Sequence, residues 1–598
     1  MIEITHKVAG VPRNIYVAET PEELDDFEKW IETNKTKRVA VDTETTGLDI
    51  FSDEYRIRTI QFGSEVEAWV IPIELGGRFE KVGLTALDSL ERVVFQNAAF
   101  DVLSLRAAMD YSLDWSKIVD TKILAHLVDP RQVPEGGPGL GLADLTRHYI
   151  DPEVADEVKD SMKRLASEAG TTRGEVFKTI DLWNETYLLY AGMDVILTAL
   201  LFDTLIELIP APSRGLVRVE HEIARICAEM EFNGFLLDVD YAEGFAQELD
   251  ETREYFEGVA AGLGVENVNS TDQVAAALIE RGIKITERTP SGKYKVDKKL
   301  LDRLVAEGDP LAEAVAEAKK AKKWRSTWVQ KFLDNRDSGD RCHATIQPLQ
   351  ARTARMSITG IPAQTLPAGD WKVRRCFIAD PGHSLVAVDY QAQELRVLAA
   401  ISGDQNMIEA FRTGADLHQM TADASGVDRS VGKTVNFAYV YGSGPKNIAE
   451  TCGISVEKAR EVIDGFERTY PGVKRLSDSL QKQARRFGFI QTGSGRRIPV
   501  DKDRPYAALN YMIQSTSRDV TAAALIRIDE AGLSKFLRLP IHDEVLACVP
   551  ADSAEEYAEQ FAELMKTVYM GVLIDTDSEV AGPSWGHAYA PDELKEKL

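Results

Sequence analysis

At 598 residues the chain is several times the length of an ordinary domain, so three or more packed units with sizeable cores are expected and a small stapled module is excluded. Hydrophobic residues at 44% and charged residues at 28% fall in the soluble globular range, and no run of about 18 apolar residues suggests a membrane span. The net charge of −26 argues against a uniformly cationic nucleic-acid binder, but binding needs only a local cationic surface.

Such a surface is concentrated at Lys319, Lys320, Lys322, Lys323 and Arg325, with Trp324 and Trp328 interleaved. The start, MIEITHKVAG, lacks the charged and apolar regions of a secretory signal, which makes the cytoplasm the default location. Cys227, Cys342, Cys376, Cys452 and Cys548 lie far apart, without the spacing of a zinc site or a disulfide framework, and read as reduced core thiols.

In chain order, the first ~200 residues read as an α/β unit, with strands through Val39–Val41, Arg58–Phe62 and Ala68–Ile73 followed by helical patterns. Pro130 to Gly141 is a loop. Helical periodicity then dominates from Glu220 to about Gln330, as in RVEHEIARICAEMEF, and predicts a helical arm. Strands return at Ser384–Val388 and Phe536–Val549, bracketing a long, mostly helical stretch.

The first chemical signal is RVAVDTETTGLD, an apolar strand ending in Asp42 and Glu44, whose alternation puts both carboxylates on one face. Like charges so placed persist most easily around a divalent cation, and oxygen ligands suit Mg²⁺ or Mn²⁺. Alone, a solvated strand end explains the pair equally well. Asp101 in QNAAFD, and Tyr190 with Asp194 in YAGMD, add two acids and a phenol, the last pair on one side of a helix.

A second set begins at Asp389, where the strand SLVAV turns into the helix of QAQELRVLAAI. LRLPIHDEVLACV reads as two strands joined at His542, Asp543 and Glu544, with carboxylates at a hairpin tip. Between these sets, DRSVGKTVNFAYVYG spaces Arg429, Lys433, Phe437 and Tyr441 at four-residue steps, which drift only about 40° per step round a helix and leave cations and rings in one stripe. Gly442 is suited to end that helix. Cations in such a stripe can grip a triphosphate while rings abut a sugar and a base.

Asp42, Glu44, Asp101 and Asp194 with Tyr190 resemble the acidic set of the DEDDy 3′-to-5′ exonucleases. Over nearly the whole length the chain resembles family A, polymerase I-like DNA polymerases: motif A as DYQAQELR, motif B as Arg429, Lys433, Phe437, Tyr441 and Gly442, and motif C as HDE. TARMSITGIPAQTLP, with Arg355, and NYMIQST, with Asn510 and Gln514, are similar to that family's elements along the primer-template minor groove.

The resemblance implies an α+β multidomain chain: an RNase H-like exonuclease domain over 1–205, a connecting helix and helical thumb over 206–340, palm over 341–404, fingers over 405–525 and palm again over 526–598. It implies two Mg²⁺ ions per active site, with Mn²⁺ an alternative. Asp42, Glu44, Asp101 and Asp194 would ligate the exonuclease ions while Tyr190 orients the attacking water. Asp389 and Asp543 would ligate the polymerase ions, with Glu544 auxiliary. Arg429, Lys433 and His418 would hold the triphosphate, Lys433 giving the leaving pyrophosphate its proton. Glu394 would exclude ribonucleotides at the 2′ position, Phe437 would lie under the sugar and Tyr441 at the template position. Arg355, Asn510, Gln514 and His542 would contact DNA. Primer-template DNA and deoxynucleoside triphosphates are the implied partners, with replisome proteins such as a helicase and a single-strand-binding protein, no membrane, and a monomer sufficing.

Motif A departs from the family at Gln391, Ala392 and Gln393, where Ser, Gln and Ile are usual, and Ala354 stands where Gly is usual. Nothing resembles a 5′-nuclease, so flap removal is expected to be absent; the layout is similar to that of phage replicative polymerases, which places the action in a bacterial host's cytoplasm. Three rivals are weighed. A single-subunit RNA polymerase is disfavoured by Glu394 and Asp42, a nonenzymatic DNA-binding scaffold needs neither carboxylate set, and a 3′-to-5′ exonuclease with a decayed polymerase half would be expected to lose Asp389, Lys433 or Asp543, all of which are present.

Overall fold

The structure, a computed structural model, describes residues 1–367 and 370–595. The N-terminal part is built on one mixed sheet, in the order Ile2–Val8, Val11–Val17, Glu67–Ile71, Ile57–Gly63, Arg38–Thr45, Arg92–Phe95, Ile118–Asp120. The first two strands form an antiparallel hairpin that the sequence pattern did not announce. Only Ile4, Val8, Ile15 and Val17 of this hairpin are buried, too few apolar positions for a clear alternation signal.

The helix Glu185–Leu208 lies against this sheet. By length and composition it could cross a membrane, but its apolar residues from Tyr187 to Leu205 are taken up by the protein core. Two glycines set its depth. A Cβ at Gly63 would sit 2.7 Å from Val195 Cγ2, and one at Gly192 would sit 2.4 Å from Ile15 Cγ2. Both distances are below contact, so only glycine allows the approach that brings Tyr190 and Asp194 to the sheet.

This helix runs through the boundary expected after residue 205, and the helix Ala508–Glu530 runs through the one expected after 525. The helical arm is also interrupted. Helix Leu216–Asn233 stops at Gly234, which has φ 54°, and the strand Phe235–Leu237 pairs with Arg341–Cys342 and Phe377–Ile378. Beyond it, Val239–Gly262 packs against Pro310–Trp324, and a small separate core includes Val274, Leu304 and Val315.

The C-terminal part centres on a four-stranded antiparallel sheet in the order Leu537–Ile541, Glu544–Pro550, His383–Tyr390, Thr576–Gly582. Helices from Gln405 to Phe487 form the lobe between its strands in sequence. Helix Leu216–Asn233 ties both parts together. His221 Nε2 accepts from Asp120 N at 2.8 Å, and Arg106 pairs with Glu229 at 2.6 Å. Fully buried Glu220 pairs with Arg518 at 2.6 Å and with Arg496, and these cations hold its carboxyl down at about 2. All five cysteines are free thiols, four of them buried.

Candidate active sites

The first site is assembled by that close helix–sheet approach. Carboxylate oxygens of Asp42, Glu44 and Asp194 all lie within 4.8 Å of one another. Asp101, in the first turn of helix Ala98–Met109, stands beside them with Oδ1 accepting from Thr43 N at 3.0 Å and Thr43 Oγ1 at 2.7 Å. Burial pushes Asp42 and Glu44 well above the usual carboxylate range, and the neighbouring acids push them further. Burial also lifts Asp101 and Asp194 to about 7, against the pull of Thr43 on the one and of the Tyr190 hydroxyl on the other. The Tyr190 phenol is raised by burial and by these same acids, which keeps it protonated.

A buried group of carboxyls must take up protons or a cation to offset its repulsion. All the donors are hard oxygens on rigid elements, a set that fits divalent ions of the Mg²⁺ class. Thr43 and Arg173, whose charge lowers the carboxyls of Glu44 and Asp194, were not singled out by sequence reasoning. Thr43 meets Asp101 across 58 residues of chain and Arg173 belongs to a different helix, Arg173–Thr179; no motif spacing signals either.

The second site sits at the edge of the C-terminal sheet. Cross-strand register puts Asp389 directly opposite Glu544 on one side and Asp577 on the other. Directly opposed residues project to the same face, so three carboxylates share it. Ile541 pairs with Glu544, leaving His542 and Asp543 as a two-residue turn in which His542 takes φ 58°. Asp389 keeps an exposed edge, yet the loss of water around it, then Asp543 and Glu544, lift its carboxyl to about 7. Asp543 and Glu544 are raised by burial, and Glu544 Oε2 accepts from Tyr589 OH at 3.1 Å.

A cleft of about 400 Å³ adjoins these acids and is lined by Arg355, Glu394, Phe437, Tyr441, Gln514, His542 and Asp543. Glu394 is ion-paired with Arg355 through one oxygen and accepts from Tyr441 OH at 3.1 Å through the other. Gln514 Oε1 accepts from Thr353 Oγ1 at 3.3 Å, and Asn510 lies one turn earlier on the same helix. Helix Arg429–Val440 delivers Phe437 and Tyr441 to the cleft. Arg429, Lys433 and His418 are not part of its lining. Arg429 pairs with Asp416 at 2.6 Å; His418 Nδ1 accepts from Asn436 Nδ2 at 2.9 Å, and its ring lies 5.8 Å from the Phe437 ring. Burial lowers the His418 imidazole pKa, and Arg429 and Lys433 lower it further.

Two of the three motif A departures, Gln391 and Gln393, have side-chain partners, while Ala392 takes φ 51° at the turn into helix Gln393–Ser402. Gln391 Nε2 donates to Asp577 at 2.6 Å, and its Oε1 accepts from Arg396 at 3.2 Å. Buried Gln393 donates to Ser517 O at 3.2 Å and Thr521 Oγ1 at 3.0 Å. Ala354 holds φ 65°, the left-handed region that explains why glycine is usual there. Asp577 and Tyr589 went unnoticed because each joins the site only through register or packing.

The DNA polymerase family A profile matches residues 239–587, and a 3′-5′ exonuclease profile matches residues 18–210. The chain therefore belongs to DNA polymerase family A and carries a 3′-5′ exonuclease domain. It is 53% identical over 595 residues to the DNA polymerase of Mycobacterium phage L5, covering 99% of this chain and 100% of that one. To the DNA polymerase of Mycobacterium phage D29 it is 51% identical over 609 residues, with the same coverage. The POL domain of Pol1 from M. smegmatis, solved in complex with DNA primer-template and dNTP, aligns with a TM-score of 0.75 over 96% of this chain and 100% of that one; at 23% identity it shows a shared fold.

Proposed function

We propose that this polymerase extends a DNA primer on its template by adding deoxynucleoside triphosphates, and removes wrongly paired 3′ ends at the separate exonuclease site, in replication of a phage genome in a bacterial host's cytoplasm. The observation that carries the reading is the sheet register that sets Asp389 against Glu544, with Asp543 at the adjoining turn lining a cleft together with Glu394, Phe437 and Tyr441.

Two Mg²⁺ ions at each site, when bound, would supply charge stabilisation and an activated nucleophile. Asp389 and Asp543 hold them at the polymerase site, with Glu544 in support; Asp42, Glu44, Asp101 and Asp194 hold them at the exonuclease site, where Tyr190 orients water. Arg429, Lys433 and His418 grip the triphosphate, and Lys433 protonates the departing pyrophosphate. Arg429 and Lys433, on helix Arg429–Val440, and His418, on the neighbouring helix Leu417–Ser425, stand outside the cleft lining, so nucleotide binding would draw both helices inward. Glu394 blocks a 2′-hydroxyl, Phe437 lies under the sugar and Tyr441 stacks at the template position. Arg355, Asn510, Gln514 and His542 touch DNA. Shape, rather than hydrogen bonds to base edges, selects the base. Exonuclease domain, thumb, palm and fingers follow in the order expected above, with the divisions near 205 and 525 moved to the ends of helices Glu185–Leu208 and Ala508–Glu530; a helicase and a single-strand-binding protein are its replisome partners, and one chain acts as a monomer.

Primer extension on a 5′-labelled primer-template with Mg²⁺, with and without deoxynucleotides, tests this. The wild type should extend with nucleotides and shorten the primer without them. A wild type that only degrades would sink the polymerase half and leave an exonuclease with a decayed partner.

A further inference from the structure

Glu394 is held at both carboxylate oxygens by residues from two different elements. Arg355, in the segment before strand Ser357–Thr359, pairs with Oε1; the Tyr441 hydroxyl, at the end of helix Arg429–Val440, donates to Oε2 at 3.1 Å. All three line the cleft that contains Asp543. Arg355 thus joins the acid that would face the nucleotide sugar while itself lining the cleft beside Asp543.

We infer that Arg355 is a positioning residue for sugar selection: it holds Glu394 in place and makes the rejection of ribonucleotides depend on the shape of the primer terminus. The inference rests on the reading of Glu394 as the wall against the 2′ position and of Arg355 as a minor-groove contact. A guanidinium has five donors in a fixed fork, so one edge can keep Glu394 while another reaches the groove. Matched pairs of either kind present minor-groove acceptors at equivalent places, which lets Arg355 serve both partners at once. A mismatch moves those acceptors and draws the guanidinium away. Glu394 then keeps only the neutral Tyr441 bond, weaker than a charge-assisted one, and its wall against a 2′-hydroxyl slackens.

The test uses the full chain carrying Asp42→Ala, so that mismatched primers survive. The deoxy-to-ribo ratio of kcat/KM is measured on matched and mismatched primers for Arg355 intact, Arg355→Ala, Arg355→Lys, Glu394→Ala and the Arg355→Ala/Glu394→Ala double variant. With Arg355 intact, the ratio should fall roughly tenfold on the mismatched primer, the scale of one charge-assisted hydrogen bond. Arg355→Ala should give the low ratio on both primers, Arg355→Lys should restore part of it, and Arg355→Ala should change nothing further once Glu394 is gone. Each ratio is taken within one enzyme, so a general loss of folding or activity does not imitate the result. If Arg355→Ala slows both nucleotides equally while Glu394→Ala collapses the ratio, the coupling is overturned and the sugar wall stands. If Glu394→Ala leaves the ratio intact, the sugar wall falls and the coupling with it.

Discussion

The two carboxylate sites differ in how far the fold by itself completes them. At the exonuclease site three acids on one strand and one buried helix lie with their oxygens within 4.8 Å of one another, and Asp101 is held beside them by Thr43. At the polymerase site Asp389 stays partly exposed at a strand end, Asp543 occupies a hairpin turn, and Arg429, Lys433 and His418 stand outside the cleft lining. One centre is set by rigid packing; the other leaves Arg429, Lys433 and His418, the groups proposed to hold the triphosphate, on a separate helical lobe. Proofreading needs a fixed hydrolytic geometry, whereas synthesis must admit a new nucleotide and a shifted primer at every step, and groups on a movable lobe suit that cycle.

The largest expected effect breaks the comparison at its root. Asp389→Ala should lower extension by at least about 10³-fold while primer shortening persists, and Asp42→Ala should do the reverse, since each removes a proposed cation ligand from one centre alone. Loss of both activities in either variant, read on the same labelled primer, would show that the sites are not separate. Next in size is Glu220→Ala, which strands the buried cations Arg496 and Arg518 and should cost about 3–5 kcal/mol, read by urea unfolding.

Thr43→Val sharpens the contrast. Asp101 loses a hydroxyl donor, so exonuclease rate should drop roughly 10- to 100-fold with extension unchanged. The smallest effect concerns pH. Asp101 and Asp194, raised to about 7 when folded, bind protons more readily folded than unfolded. Without divalent ions their contribution to stability therefore declines as pH rises from the ordinary carboxylate range near 4 through about 7. Melting temperatures in EDTA should fall across that window, Mg²⁺ should recover the loss at the upper end, and Asp194→Asn should flatten the slope. An unchanged slope in that variant would mean that the acids are not sharing one desolvated site.

Strand alternation in VDTET, the helical spacing of YAGMD and the four-residue steps from Arg429 to Tyr441 put Asp42, Glu44, Tyr190, Asp194, Arg429, Lys433, Phe437 and Tyr441 in the sequence itself, because each depends on local backbone geometry. Asp389 and the HDE turn were legible in the same way, whereas Glu394, His418, Arg355, Asn510 and Gln514 were legible only through the family resemblance. The N-terminal hairpin escaped because few of its positions are apolar, and the arm's break at Phe235–Leu237 escaped because a three-residue strand is too short to alternate visibly. Asp577 joins the site only when Thr576–Gly582 pairs beside His383–Tyr390, and Thr43 meets Asp101 only when a helix 58 residues on packs against its strand. Likewise the pairing of Gln391 with Asp577, and of Arg355 with Glu394, depends on elements far apart in the chain. Local periodicity determined which residues could do chemistry; long-range register and packing, which no short window of sequence contains, decided which of them meet.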